Sequence, residues 1–247
     1  MRAYAIGDIH GQIDRLRAAH GLIAQDRART GDASAPVVHV GDLVDRGPDS
    51  RGVIDHLLDG RARGENWVAL KGNHDRMMAM FLRDPSMVDP HLLVGHNWLH
   101  PRIGGVRTME SYGVEVPEDI RMYQLHPTAR AAVPAAHHAF LEHLPAMHRL
   151  GDLCFVHAGI RPGVPLDAQS EDDLCWIRKP FHVSTADHGA LIVHGHTPVN
   201  KVTHYGNRLN IDTGAGHGKA LSAVVIEGRE AWLLTSEGRV AVHQAHG

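Results

Sequence analysis

Arg2-Ala3-Tyr4-Ala5-Ile6-Gly7-Asp8-Ile9-His10-Gly11 opens the chain, and the same phrase returns twice with variations. The second version is Pro36-Val37-Val38-His39-Val40-Gly41-Asp42-Leu43-Val44-Asp45-Arg46-Gly47, and the third is Trp67-Val68-Ala69-Leu70-Lys71-Gly72-Asn73-His74-Asp75. Each is a short apolar run that meets glycine and then Asp, Asn or His. Such runs, bounded by glycine, read as buried strands ending in tight turns. Between them, Ile13, Leu16, His20 and Ile23 share one face at helical spacing. Val53, Ile54, Leu57 and Leu58 do the same behind an N-cap region at Asp49-Ser50. Strand, helix, strand, helix, strand implies parallel βαβ units, whose loops at the carboxyl ends of the strands face one crevice. Asp8, His10, Asp42, Asp45, Asn73 and His74 are therefore expected to converge.

Further strands are expected at 153–156, 190–193, 209–211, 221–226 and 231–234, the last two as an antiparallel hairpin around Glu227-Gly228-Arg229-Glu230. Two of the runs end in histidine-bearing turns, Val156-His157-Ala158-Gly159 and Val193-His194-Gly195-His196-Thr197. The stretch from about 83 to 149 differs. It holds Pro85, Pro90, Pro101, Pro117, Pro127, Pro134 and Pro145 and has weak periodicity. It reads as irregular segments and short helices laid over the crevice, inserted in a single domain spanning 1–247.

The 247 residues are ample for a sizeable core, and 43% hydrophobic with 21% charged residues fits an ordered chain. Lys+Arg number 25 against 28 Asp+Glu, a formal charge of −3, so no broad basic field exists to grip a nucleic-acid backbone or an acidic membrane. No apolar run approaches the roughly 18 residues of a spanning helix, and Gly7-Asp8 interrupts the N-terminus before a signal-peptide core could form. Cys154 and Cys175 make no disulfide framework, which points to a reducing, cytoplasmic setting. The 22 histidines stand out, as metal ligands, as acid–base groups or as composition alone.

Singly, each turn is weak evidence, because Asp after a strand is often a helix cap. Together, five strand-end turns each deliver Asp, Asn or His. Carboxylate, imidazole and amide oxygen suit Mn²⁺, Fe or Zn²⁺, and the lack of a Cys ligand disfavours a structural zinc site. A bridging carboxylate is expected, since two metals about 3.5–4 Å apart form the usual clamp for in-line displacement at phosphorus.

At this point the chain resembles a family. Gly7-Asp8-Ile9-His10-Gly11, Gly41-Asp42-Leu43-Val44-Asp45-Arg46-Gly47 and Gly72-Asn73-His74-Asp75 look like the GDxHG, GDxVDRG and GNH[DE] signatures of PPP-type phosphatases. These belong to the calcineurin-like metallophosphoesterases. His157 and His196 match the two remaining ligand positions in the right order, so the resemblance covers roughly 1–235. It implies an α/β fold, a four-layer α/β/β/α sandwich of two mixed sheets flanked by helices. It implies two divalent metal ions, with Mn²⁺ expected and Fe, Zn²⁺ or Co²⁺ compatible. Asp8 and His10 would hold the first, Asn73, His157 and His196 the second, and Asp42 would bridge. A water acidified by both ions would attack phosphorus. Arg46 would hold phosphate oxygens by a bidentate fork. His74 would donate a proton to the leaving oxygen, oriented and kept protonated by Asp45. Arg178, in Leu174-Cys175-Trp176-Ile177-Arg178, is the choice for a second phosphate-binding arginine, with Arg161 and Lys179 as competitors.

Two departures narrow the branch. Gly195-His196 is followed by Thr197-Pro198, so the second histidine of a Gly-His-x-His turn is missing, as in the PPP branch. The symmetrical dinucleoside-tetraphosphate hydrolases resemble the chain but typically carry Ala at the place of Asp45. Asp75, and a W…NGG…T…SYG-like stretch formed by Trp98, Gly104-Gly105, Thr108 and Ser111-Tyr112-Gly113, resemble bacterial members, with Ile103 standing in place of Asn. The expected activity is that of a bacterial serine/threonine-type phosphatase acting on a phosphorylated protein or small-molecule phosphate. The alternatives are hydrolysis of dinucleoside polyphosphates or cyclic nucleotides, and a non-enzymatic metal-binding scaffold. His39 reads as a satisfied core residue, His194 as a residue orienting a metal ligand, Asp212 as a hydrogen-bonding turn, and His137-His138, His143 and His148 as solvated helix surface.

Overall fold

Side-chain alternation along β1 (Arg2–Ile6) decides the layering: Ala3 and Ala5 face one way and Tyr4 and Ile6 the other, all without exposed surface. The computed structural model describes residues 1–245; positions 246 and 247 of the expected domain lie outside the described residues. The chain continues through α1 (Ile13–Thr30), β2 (Val37–His39), α2 (Ser50–Ala62), β3 (Trp67–Ala69), α3 (Asn73–Arg83), α4 (Gly105–Ser111), α5 (Met122–Ala132) and α6 (Ala135–Glu142). It then runs β4 (Met147–Leu150), β5 (Leu153–Val156), α7 (Glu171–Trp176), α8 (Lys179–His182), β6 (Leu191–His194), β7 (Thr203–His204), β8 (Arg208–Asn210), β9 (Ala223–Glu227), β10 (Glu230–Thr235) and β11 (Gly238–Val242).

Two mixed sheets result, ordered β11-β10-β9-β1-β2-β3 and β4-β5-β6-β8-β7. Strands β1, β2 and β3 are parallel, as are β5, β6 and β8. The inner face of the first sheet sets Ala3, Ala5, Val38 and Val40 against Leu153, Phe155, Leu191 and Val193 of the second. Its outer face sets Tyr4, Ile6 and Val37 under Leu16, Ile23, Val53, Ile54 and Leu57 of α1 and α2. On the far side, Cys154, Val156 and Ile192 pack under Leu174 of α7, Ile177 and Phe181 of α8. The period-2 alternation of the strands thus feeds three apolar layers, and the α/β/β/α sandwich follows.

The helices start and stop as their caps dictate. Asp49 accepts from the Gly52 N–H at 2.7 Å ahead of α2, and Gly31, at φ 72°, closes α1 with its N–H on the Arg27 carbonyl. Residues of the 83–149 stretch pack onto the helix-side core. Trp98, Met109, Leu125 and Phe140 share the helix-side core with Met78 and Phe81 of α3.

Several local expectations change. β4 is a strand where none was expected, because Gly151, at φ 55°, turns Met147–Leu150 back antiparallel onto β5 although the segment lacks β-branched residues. The β9–β10 hairpin forms as expected and gains β11 as a third strand at its edge. His137 is buried rather than solvated, between the Tyr112 hydroxyl at 2.8 Å and the Asp55 carboxylate at 2.9 Å. Polar partners on α2 and beside α4 give an inward-facing imidazole a satisfied place.

Candidate active site

The carboxyl ends of β1, β2 and β3 in one sheet and of β5 and β6 in the other meet at one edge of the sandwich. They bring Asp8 and His10, Asp42, Asn73, His157 and His196 together, all buried. The approach is close enough to require glycine. At Gly41, φ is 99°, and a Cβ there would stand 2.6 Å from the Gly72 nitrogen. Asp75 ties two of the turns, accepting from the Leu43 N–H at 2.9 Å and the Gly72 N–H at 2.8 Å. Among the described residues, the non-glycine positions with left-handed φ are His10 (47°), Asp42 (49°), Asp45 (73°), Arg46 (66°) and His196 (67°). Every one belongs to the set singled out by sequence. Each costs about 1–3 kcal/mol, a strain that clusters where geometry is set by function rather than by folding.

The donor atoms carry too many lone pairs for one another. His157 donates from Nδ1 to the Val40 carbonyl at 2.9 Å, so its Nε2 offers a lone pair. That Nε2 faces Asn73 Oδ1 at 2.9 Å and Asp42 Oδ1 at 3.3 Å, both acceptors, and His196 Nδ1 at 3.2 Å. His10 likewise donates from Nδ1 to the Val44 carbonyl at 2.9 Å, leaving Nε2 3.4 Å from Asp42 Oδ2. Burial, first of all, pushes the His10, His157 and His196 imidazoles below their usual range, so they are neutral near pH 7. Burial, with Asp212 and Asp42 nearby, pushes the Asp8 carboxyl well above its usual range. Asp8 Oδ2 accepts from the His196 N–H at 2.9 Å, whereas Oδ1 is buried without a hydrogen-bond partner. Neutral imidazoles, an amide oxygen and crowded carboxylates with an orphaned oxygen fit divalent cations. Two clusters have the required closeness, His10 with Asp42 and His74, and Asp42 with His157 and His196. Asp42 belongs to both. Asp8 stands outside the first cluster, and His74 stands in it instead.

His74 has another partner as well. Its Nδ1 donates to Asp45 Oδ2 at 2.7 Å, and its Nε2 accepts from Arg46 Nη2 at 3.0 Å. The same guanidinium donates from Nη1 to His10 Nε2 at 2.8 Å. Arg46 therefore supplies part of the positive charge that the cluster calls for. A cleft of about 330 Å³ opens over these groups, lined by Arg46, His74, Arg178, Trp176 and Ile103. Arg178 makes no side-chain hydrogen bond among the described residues, while Arg161 is committed to both carboxylate oxygens of Asp173. Lys179 is absent from the cleft wall.

One residue departs from expectation, and two more that sequence reasoning did not place there reach the site. His194 turns away from the site, its ring edge-on to Phe181 at 5.1 Å in the outer core, where burial pushes it down to about 3. It follows the alternation of β6, which sends neighbouring side chains to opposite faces. Trp98 and Thr108, matched to a motif but given no role, both reach Asp45. Their spacing was visible in the sequence, but the contact across 53 and 63 residues was not. Asp212 accepts from the Gly214 N–H at 2.8 Å, the turn expected of it.

With this geometry in place, residues 1–224 match the family model of the calcineurin-like phosphoesterases, and the chain belongs to that family of phosphoester hydrolases. It is 27% identical over 231 residues to the asymmetrical bis(5′-nucleosyl)-tetraphosphatase PrpE of Oceanobacillus iheyensis, covering 90% of this chain and 88% of that one. It is 27% identical over 237 residues to serine/threonine-protein phosphatase 1 of Salmonella typhimurium, covering 91% of each. The fold is shared with a solved cold-active protein-tyrosine phosphatase of a psychrophile Shewanella species, at a TM-score of 0.64 and 17% identity over 98% of this chain and 80% of that one. No helix among the described residues is long and apolar enough to cross a membrane.

Proposed function

We propose that the chain hydrolyses phosphomonoesters, of a phosphorylated protein side chain or a small-molecule phosphate, in the cleft between Arg46, His74 and Arg178. The Asp45–His74 pair carries the reading. An alkoxide leaving group needs a proton as the P–O bond breaks, whereas a phosphate leaving group departs as a stable anion, so a built proton donor serves esters. Asp8 and His10 would hold one divalent cation and Asn73, His157 and His196 a second, with Asp42 shared and Mn²⁺ the expected metal. When bound, the ions supply Lewis acidity and a water deprotonated near neutral pH.

The chain's own residues do the rest. Arg46 exchanges the two imidazoles for phosphate oxygens, with Arg178, which lines the same cleft, as a second clamp. That exchange frees His74 Nε2 to carry a proton and give it to the leaving oxygen, while the Asp45 carboxylate holds Nδ1 and stabilises the imidazolium. The products are alcohol and phosphate. Residues 83–149 supply one wall of the cleft within a single domain. Cys154 and Cys175, both buried and unpaired, support a reducing, cytoplasmic setting.

The similarity to PrpE favours a second reading, hydrolysis of dinucleoside tetraphosphates. With added Mn²⁺, kcat/KM on a phosphoserine peptide and on diadenosine tetraphosphate separates them. The peptide is expected to be the better substrate, and the opposite order overturns the first reading.

A further inference from the structure

We infer that Trp98 and Thr108 are positioning residues for proton delivery, fixing the Asp45 carboxylate so that His74 presents Nε2 to the leaving oxygen. The inference rests on the reading of His74 as the proton donor.

An imidazole is oriented by one hydrogen bond only if the acceptor is itself held. Asp45 sits in a turn with a left-handed backbone, and nothing local to that turn fixes its side chain. The insertion does. Thr108 Oγ1 donates to Asp45 Oδ1 at 2.7 Å, and the Trp98 indole N–H reaches Oδ1 at 3.1 Å and Oδ2 at 3.0 Å. His74 Nδ1 then takes the remaining direction on Oδ2, at 2.7 Å. Trp98 is 2% exposed, and Asp45 and Thr108 have no exposed surface, so water does not compete for these bonds.

The Thr108 proton has one place to go. Its oxygen accepts the Asp45 backbone N–H at 2.9 Å, and with its proton on Asp45 the 3.0 Å contact to Ser50 Oγ makes Ser50 the donor. Both donors to the carboxylate are neutral. They hold Asp45 without cancelling the negative charge that a developing imidazolium needs, as an arginine in their place would. Arg46 is instead turned to the far side of the His74 ring. The segment is locked to the same turn through its backbone, where Gly104 accepts from the Arg46 N–H at 3.3 Å. A Cβ on Gly105 would stand 2.6 Å from the Trp98 carbonyl oxygen, so the Trp98–Thr108 strap closes only with glycine there.

The test compares Thr108→Val, Thr108→Ser, Trp98→Phe and His74→Ala on two esters, a phosphoserine peptide and p-nitrophenyl phosphate, with Mn²⁺ content and thermal melting measured alongside. Thr108→Val and Trp98→Phe are expected to lower kcat on the peptide about 10- to 100-fold, within the usual range for acid catalysis. On the nitrophenyl ester kcat should change less than about 3-fold, because that leaving group needs no proton. KM for both esters and metal content should hold, and Thr108→Ser should recover the peptide activity. Equal losses on both esters would reduce the pair to structural support, and unchanged kcat on the peptide would remove any role. Should Thr108→Val fail to fold, the Trp98→Phe and Thr108→Ser data decide. A His74→Ala variant that loses both activities equally sinks the proton-donor reading itself, an outcome separate from failure of the Trp98 and Thr108 assignment.

Discussion

Arg46 makes the residue-scale point most sharply, because its guanidinium rests on His10 Nε2 and His74 Nε2, the atoms proposed to meet a metal and a leaving group. Held at φ 66°, it adopts a backbone that Asp, Asn and His tolerate better than Arg does, so function and not local preference keeps it there. Arg178 differs in having no competing partner among the described residues. Arg178→Ala should therefore raise the inhibition constant for inorganic phosphate about tenfold, the loss of one charged hydrogen-bonding group worth roughly 1.4 kcal/mol. Arg161→Ala should leave that constant unchanged, since Arg161 is spent on Asp173. Phosphate inhibition of the Mn²⁺-loaded enzyme measures both, and the reverse pattern would move the second clamp to Arg161.

Between elements, three histidines without a part in the proposed chemistry link α1, β2 and α2. His39 donates from Nδ1 to the Val68 carbonyl at 3.1 Å, so its Nε2 accepts from His20 Nε2 at 2.9 Å. His20 Nδ1 in turn accepts from His56 Nε2 at 2.9 Å, and its ring lies on Trp67 at 4.0 Å. One proton order satisfies the chain, and it requires His20 and His39 to be neutral, because each must accept at one ring nitrogen and donate from the other. Burial chiefly pushes His20 down to about 2 and His39 to about 4, and burial with Arg17 and Arg63 lowers His56 as well. Folded values below the unfolded value of about 6.5 mean that this stability is complete above pH 6.5 and is lost as pH falls toward 4. His39, fully buried, accounts for roughly 3 kcal/mol over that window. Urea midpoints between pH 7.5 and 4.5 should fall steeply for the parent and more shallowly for His39→Gln. Parallel slopes would show that the acid sensitivity lies elsewhere.

At the scale of the molecule, the inter-sheet core and the site are one construction. Phe155, fully buried between the sheets, stands two residues before His157 on β5. Phe155→Ala should cost about 3–5 kcal/mol in urea unfolding. It should also weaken Mn²⁺ retention on dialysis, because the cavity loosens the strand end that carries His157, a proposed ligand. Full metal retention at reduced stability would mean that the turn is held by its own hydrogen bonds.

What the sequence determined by itself was local and periodic. Short apolar runs ended by glycine at 2–6, 36–40 and 67–70 and helical spacing in 13–23 and 53–58 carried the βαβ order, and the repeated Gly-Asp and Gly-Asn-His turns carried the candidate ligands. These rest on neighbours along the chain, so they are legible without a fold. The tertiary structure decided what depends on groups distant in sequence. It turned His194 outward and His137 inward, made Met147–Leu150 a strand, and brought Trp98 and Thr108 onto Asp45. The places of His137, Trp98 and Thr108 follow from which buried polar group finds a partner once the layers are packed. β4 and the outward His194 follow instead from which strands pair and which face of the sheet each residue meets, and partners so distant in sequence leave no local pattern.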